Sequence, residues 1–158
     1  MSAENVELVK SLQPDDVDLV ELFREGGPSP FSEEDAGLFA PDFEAEFIAS
    51  IAGVPSLSYT GLGGMLDGWR DWLEAFATYR ITAERFVDLG SDVVVFIRVD
   101  AQTARDAVAV THEPAGVWSV RDGKITRLRL YLDREDALRD AGSAQPNVKA
   151  YPETPDSN

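Results

Sequence analysis

Apolar residues recur at helical spacing near the start of the chain and change to strict alternation further along. Over residues 2 to 25 the pattern predicts helix in two pieces. Ser2 is placed to cap the first, Glu4 lies in its opening turn, and Val6, Val9 and Leu12 mark its apolar face. Pro14 breaks that helix and is placed to start the next, with Asp15 and Asp16 at the positive end of its dipole. Val17, Leu19, Val20, Leu22 and Phe23 supply the buried side, and "GGPSP" stops it. "SEEDAGLFA" reads as a short helical turn capped by Ser32 and ended by Pro41.

"DFEAEF" alternates Phe43, Ala45 and Phe47 with acidic neighbours, the pattern of a one-sided strand. Loop and a short strand should follow from Ile48 to Tyr59. From Gly61, a helix is predicted by Leu62, Met65, Leu66, Trp69, Trp72, Leu73 and Phe76. The remainder is mostly sheet: "YRITAERFVDLG", "DVVVFIRVDAQT", "DAVAVTHEPAGVWSV" and "KITRLRLYLD" are consecutive strand candidates. "RDGK" joins the last two as a hairpin turn, since Asp-Gly tolerates the positive backbone angles required. Asp133 should cap a final helix ended by Gly142.

Helices, one strand, a further helix and a long antiparallel meander make an α+β pattern. A curved sheet wrapped around the N-terminal and central helices, forming a cone with an apolar interior, buries all these stripes. The domain is expected over residues 1–142, and the tail 143–158, poor in large apolar residues, is expected to be disordered.

Composition narrows the function classes. The 158 residues hold 14 Lys and Arg against 29 Asp and Glu, a formal charge of −15 that opposes nucleic acid and anionic membrane as partners. There is no cysteine, hence no thiolate nucleophile or thiolate metal site, and "MSAENVELVKSLQP" lacks the apolar core of a signal peptide. A cytoplasmic protein is the expectation. No cofactor is expected either, because "TGLGGMLDG" lacks the G-x-G-x-x-G spacing of a dinucleotide loop. No metal-ligand spacing joins the carboxylates to the single histidine.

Candidate chemistry centres on "VVVFIRVDAQ", where Arg98 and Asp100 follow an apolar run two positions apart. A period of two puts them on one face with Val94 and Phe96. If that face is the interior, Asp100 is a candidate base and Arg98 its electrostatic partner; otherwise they form a structural ion pair or part of a dimer interface. His112, beside a predicted bulge at Pro114, is the third candidate, with an exposed edge histidine as the plainer reading. Glu44 and Glu46 read as a solvated strand face. Phe47, Trp69, Trp72, Phe96, Trp118, Leu128 and Leu130 are the expected pocket wall. On the last strand, Leu128, Leu130 and Leu132 should point inward, and Arg127, Arg129 and Tyr131 outward.

The blocks "LFAPDFEAEF", "YTGLGGMLDGWRDWLEAF", "VDLGSDVVVFIRV" and "VWSVRDGKITRLRLYLDREDAL" resemble the SnoaL-like group of the nuclear transport factor 2-like superfamily. The resemblance implies a cone-shaped α+β barrel and a homodimer formed through the open sheet. It also implies a pocket for a small organic ligand, either for binding alone or for cofactor-independent isomerase, cyclase or epoxide-hydrolase-like chemistry. Arg98 and Asp100 look similar to the Arg-x-Asp strand of limonene-epoxide hydrolase. Leu130 stands where that enzyme carries its last aspartate, and near where SnoaL-type cyclases carry their base. Whether the chain is an enzyme is left open by these residues.

Overall fold

The computed structural model describes residues 2–25, 31–48 and 56–144. The "GGPSP" stop, most of the expected loop after Ile48 and nearly all of the expected disordered tail lie outside them, as does the Ser2 side chain. The helices are α1 (Ser2–Leu12), α2 (Leu19–Glu25), α3 (Glu33–Ala36), α4 (Gly61–Leu73) and α5 (Arg134–Ala144). The strands are β1 (Val17–Asp18), β2 (Phe39–Ile48), β3 (Leu57–Thr60), β4 (Phe76–Asp88), β5 (Asp92–Thr103), β6 (Ala109–His112), β7 (Ala115–Arg121) and β8 (Lys124–Tyr131).

One curled, unclosed sheet runs in the order β1-β4-β5-β7-β8-β2-β3, with β6 also paired to β5. Its pairs are antiparallel except β2 with β8. Helices α1, α2 and α4 contact strands of the sheet, and α5 contacts β5, β7 and β8. The main core gathers α1, α2 and α4 residues with Ile97, Val99, Trp118 and Leu128. A second, smaller core forms on the other face, where Val94, Ala115, Val117 and Tyr131 meet Ala137 and Ala141 of α5.

Local chemistry explains most boundaries. Ser32 Oγ accepts from the Asp35 N–H at 3.0 Å, as its capping role requires. Asp122 and Gly123 both take positive φ, +53° and +76°, the mark of a type I′ turn between β7 and β8. Asp133 accepts the Glu135 N–H at 2.8 Å and so caps α5, which continues through Gly142 to Ala144. Pro41 does not end an element: β2 already begins at Phe39, and its register with β8 shifts between Phe39 and Glu44. The α4 pattern ends at Leu73, so Phe76 opens β4.

The largest departure is at residues 15 to 18. Asp15 and Asp16 do not open a helix. Asp15 accepts the Ala83 N–H at 2.8 Å, Asp16 pairs with Arg80 at 2.7 Å, and Asp18 accepts the N–H groups of both Tyr79 and Val20. Strand β4 has only the two-residue β1 beside it here, so its free backbone donors compete for these carboxylates. Helix α2 starts later, at Leu19.

Arg134 fixes α5 to the sheet. It donates to Glu84 at 2.6 Å, to the Ile97 carbonyl at 2.9 Å and to the Pro114 carbonyl at 3.4 Å, and it stacks 4.8 Å from the Phe96 ring. Arg134→Ala is expected to destabilise the protein by about 2 kcal/mol, because charged hydrogen bonds are lost together with packing. Urea unfolding checks it, and a change within about 0.5 kcal/mol removes this role from Arg134.

Candidate functional site

The curl of the sheet leaves a cavity of about 520 Å³ between its concave face and the helices. Strands β2 and β8 give it Phe47, Leu128 and Leu130; α4 gives Trp69 and Trp72; β7 gives Trp118. The alternation of each strand puts these side chains inside, and the α4 stripe turns both tryptophans toward them. Leu132 also reaches the wall. The rings meet edge to face, Tyr59 on Phe47, Phe47 on Trp69 and Trp69 on Tyr79, at centroid distances of 5.6, 5.2 and 6.2 Å. Each such contact adds about 0.5–1.5 kcal/mol beyond area burial, so the wall is stiff.

Two polar groups meet in this wall. Tyr79, on β4, is 3 % exposed, and its hydroxyl lies 3.4 Å from His112 Nε2 on β6. The pairings Tyr79 with Ala101 and Val99 with His112 put both on the inward face, one strand apart on either side of β5. Their rings bridge that gap over the small Ala101 and the short Val99. Burial pushes the Tyr79 hydroxyl up to about 12, against a smaller opposing effect of its hydrogen bond with Trp72. Burial also lowers the pKa of His112. A neutral imidazole therefore faces a protonated phenol. With the phenol as donor, the ring proton of His112 sits on Nδ1. The pair can orient a ligand oxygen or pass a proton, because both neutral forms are held near neutral pH.

Arg98 and Asp100 are placed otherwise. Their guanidinium and carboxylate pair at 3.2 Å with side chains 49 % and 48 % exposed, and Thr111 donates to Asp100 at 3.3 Å. Neither lines the cavity. The expectation that they project inward is corrected, and so is the pocket role of Phe96, which packs under Arg134 in the outer core. Arg98 and Asp100 do share a face with Val94 and Phe96, and it is the outer one. Val94 and Phe96 are apolar because they lie in the second core with α5 residues, whereas Arg98 and Asp100 are exposed.

Glu44 is exposed, and Glu46 pairs with Arg127 of β8 at 2.5 Å on the outer face. Among the described residues no group of three His, Asp or Glu side chains could hold a metal ion, and no helix is long and apolar enough to cross a membrane. Tyr79 escaped the sequence reading, although "YRITA" carried the signal. Its alternation places Tyr79 with Ile81 and Ala83 on one face, and only Tyr79 brings a polar tip.

Comparison with known proteins follows from this geometry. Residues 18–128 match the family model of the SnoaL-like domain. A nuclear transport factor 2-like protein from Burkholderia xenovorans LB400 is 18 % identical with a TM-score of 0.58, covering 88 % of this chain and 96 % of that one. A candidate SnoaL-like polyketide cyclase from Jannaschia sp. CCS1 is 17 % identical, TM-score 0.57, covering 87 % and 90 %. TerC, co-crystallised with polyporic acid, is 22 % identical, TM-score 0.53, covering 69 % and 84 %. These identities carry the fold. No curated protein matches the sequence.

Burial of His112 has a consequence for stability. Its folded pKa lies below the ordinary value of about 6.5, so the unfolded chain takes up the proton first as pH falls. The contribution is present above about pH 6.5 and is lost as pH falls through the folded pKa. Wild type should therefore lose unfolding free energy relative to His112→Gln between about pH 7 and pH 5. An imidazole midpoint at or above the ordinary value, read by NMR titration, contradicts the burial.

Proposed function

The chain belongs to the SnoaL-like domain family, and on that premise we propose that its cavity binds a small, largely apolar organic molecule. The cavity itself carries this reading. About 520 Å³ suits a compact ring compound, the wall is mainly aromatic and aliphatic, and its polar groups are few and convergent. Calorimetry with 2-ethylnaphthalene should detect binding. Leu130→Trp, which fills space from a half-buried wall position, should weaken it about tenfold while leaving the fold intact. No heat at ligand saturation, or an unchanged affinity in the variant, rejects the cavity as the site.

A second reading, cofactor-independent acid–base catalysis, is favoured by the Tyr79–His112 contact. In the other tautomer, with Nε2–H donating to the Tyr79 hydroxyl, His112 Nδ1 would accept a carbon-bound proton from the ligand while Tyr79 holds the imidazole in place. Asp100 and Arg98, the pair first considered for that chemistry, are exposed on the outer face and far better suited to a surface ion pair. Exchange of α-protons of a bound ketone into D₂O, lost in His112→Gln and retained in Asp100→Asn, would support the reading. Exchange that survives His112→Gln would remove it.

The family resemblance also implies a homodimer through the outer face of the sheet, where Arg98, Asp100 and Thr111 are exposed. Light scattering should return twice the 17.3 kDa chain mass, and a monomer mass at working concentration refutes the dimer. The cysteine-free composition fits a cytoplasmic setting.

A further inference from the structure

Among the described residues, one buried donor in the cavity wall has no partner. Trp118 is an inward residue of β7, 3 % exposed, and its Nε1–H makes no hydrogen bond. Buried indole N–H groups usually find an acceptor, and leaving one unpaired costs about 1–3 kcal/mol. The neighbours explain why the protein supplies none. Nε1 lies 3.6 Å from where a Cβ on Gly116 would stand, and that point is 3.4 Å from Leu130 Cδ2 and 3.6 Å from Leu128 Cδ1. The donor thus lies beside a glycine without a side chain, and the other atoms nearest that point are two leucine methyls, neither an acceptor. Leu130 is the half-buried member and lines the cavity, so rotation of its side chain is the motion that opens Nε1 to a ligand.

Charge narrows the ligand further. Among the described lining residues there is no lysine or arginine, whereas Asp35 and Asp71 are both present. An anion entering this cavity would lose its water and gain no cation in exchange.

We propose that Trp118 Nε1–H is the anchoring donor of the site, and that its ligand is an uncharged ring compound presenting a carbonyl or ether oxygen to it. This rests on the cavity being a binding site and adds which end of the ligand is held, and by what. The donor's desolvation is already paid by folding, so an oxygen placed there gains nearly the full hydrogen bond.

Calorimetry on the full chain with three probes of one ring body tests it. 2-Acetylnaphthalene should bind about tenfold tighter than 2-isopropenylnaphthalene, which differs only in replacing the oxygen by a methylene, and 2-naphthoate should bind weakest. In Trp118→Phe the ketone and the alkene should bind equally. Equal affinities in wild type overturn the proposal without any variant, and so does a ketone preference that survives Trp118→Phe. Tightest binding by naphthoate overturns the uncharged class. Alkene binding without ketone preference leaves the cavity reading standing and removes this one, whereas no binding by any probe removes both.

Discussion

Strand β5 is buried on both faces over its first half and on one face over its second, and the shape of the molecule follows from where that change occurs. Val93, Val95, Ile97 and Val99 point into the main core, while Val94 sits in the second core and Phe96 packs against it. The first half pairs with β7 and the second with β6 in one unshifted register, the ladder being interrupted only at Glu113 and Pro114. Pro114 has no N–H to give a ladder, and its carbonyl accepts from Ile97 at 3.0 Å. Strand β6 carries His112 to the cavity wall, and β7 carries Trp118 to another part of the same wall, six residues further along.

That arrangement separates two electrostatic regimes within a few residues. On the outer face the more exposed charges pair at the surface, Arg98 with Asp100 and Arg127 with Glu46, each contributing at most about 1 kcal/mol, beside the buried pair of Arg129 with Asp92. Inside, Tyr79 and His112 are both held neutral by burial, Tyr79 with a raised pKa and His112 with a lowered one. The contact between them needs no charge on either side, which is why it persists in an apolar wall. Proton chemistry at this site would start from neutral partners, and any imidazolium formed would be a transient that the cavity opposes.

Much of the fold was legible in the chain because each element carries a local signal. The Asp122–Gly123 turn, the Ser32 and Asp133 caps and the full extent of β5 follow from backbone chemistry that any context would respect. The family resemblance, carried mainly by the last two strands and their turn, leads to the same cone. What failed was the choice of face. Alternation says that Arg98 and Asp100 lie together with Val94 and Phe96, but not whether those two are apolar because of the concave core or because of α5 on the outside. That depends on a helix some 35 residues later in the chain. Asp15 and Asp16 were misread for a related reason: their partners are the N–H of Ala83 and the side chain of Arg80, more than 60 residues away. Leu128, Leu130, Trp69 and Trp72 are more legible, since charged residues mark the opposite side of their elements, Arg127 and Arg129 on β8 and Asp67 and Arg70 on α4.

The size of the cavity bears on what it is for. Cavity creation in well-packed cores costs about 24 cal/mol per Å³, so an empty space of 520 Å³ would remove about 12 kcal/mol. That is as large as the whole stability of a typical domain, roughly 5–15 kcal/mol. A dry void of this volume would cost most of that stability, which favours a space that opens to solvent or holds something else. Water in it meets few partners: Tyr79 and His112 satisfy each other, and most of the remaining wall is ring and methyl. Poorly bonded water is the kind whose release favours an apolar occupant. The fold keeps such a space open with a curled sheet and a wall of interlocking rings, although filling it with side chains would stabilise the protein. A wall held open against its own stability is the physical reason to regard the interior as a binding site.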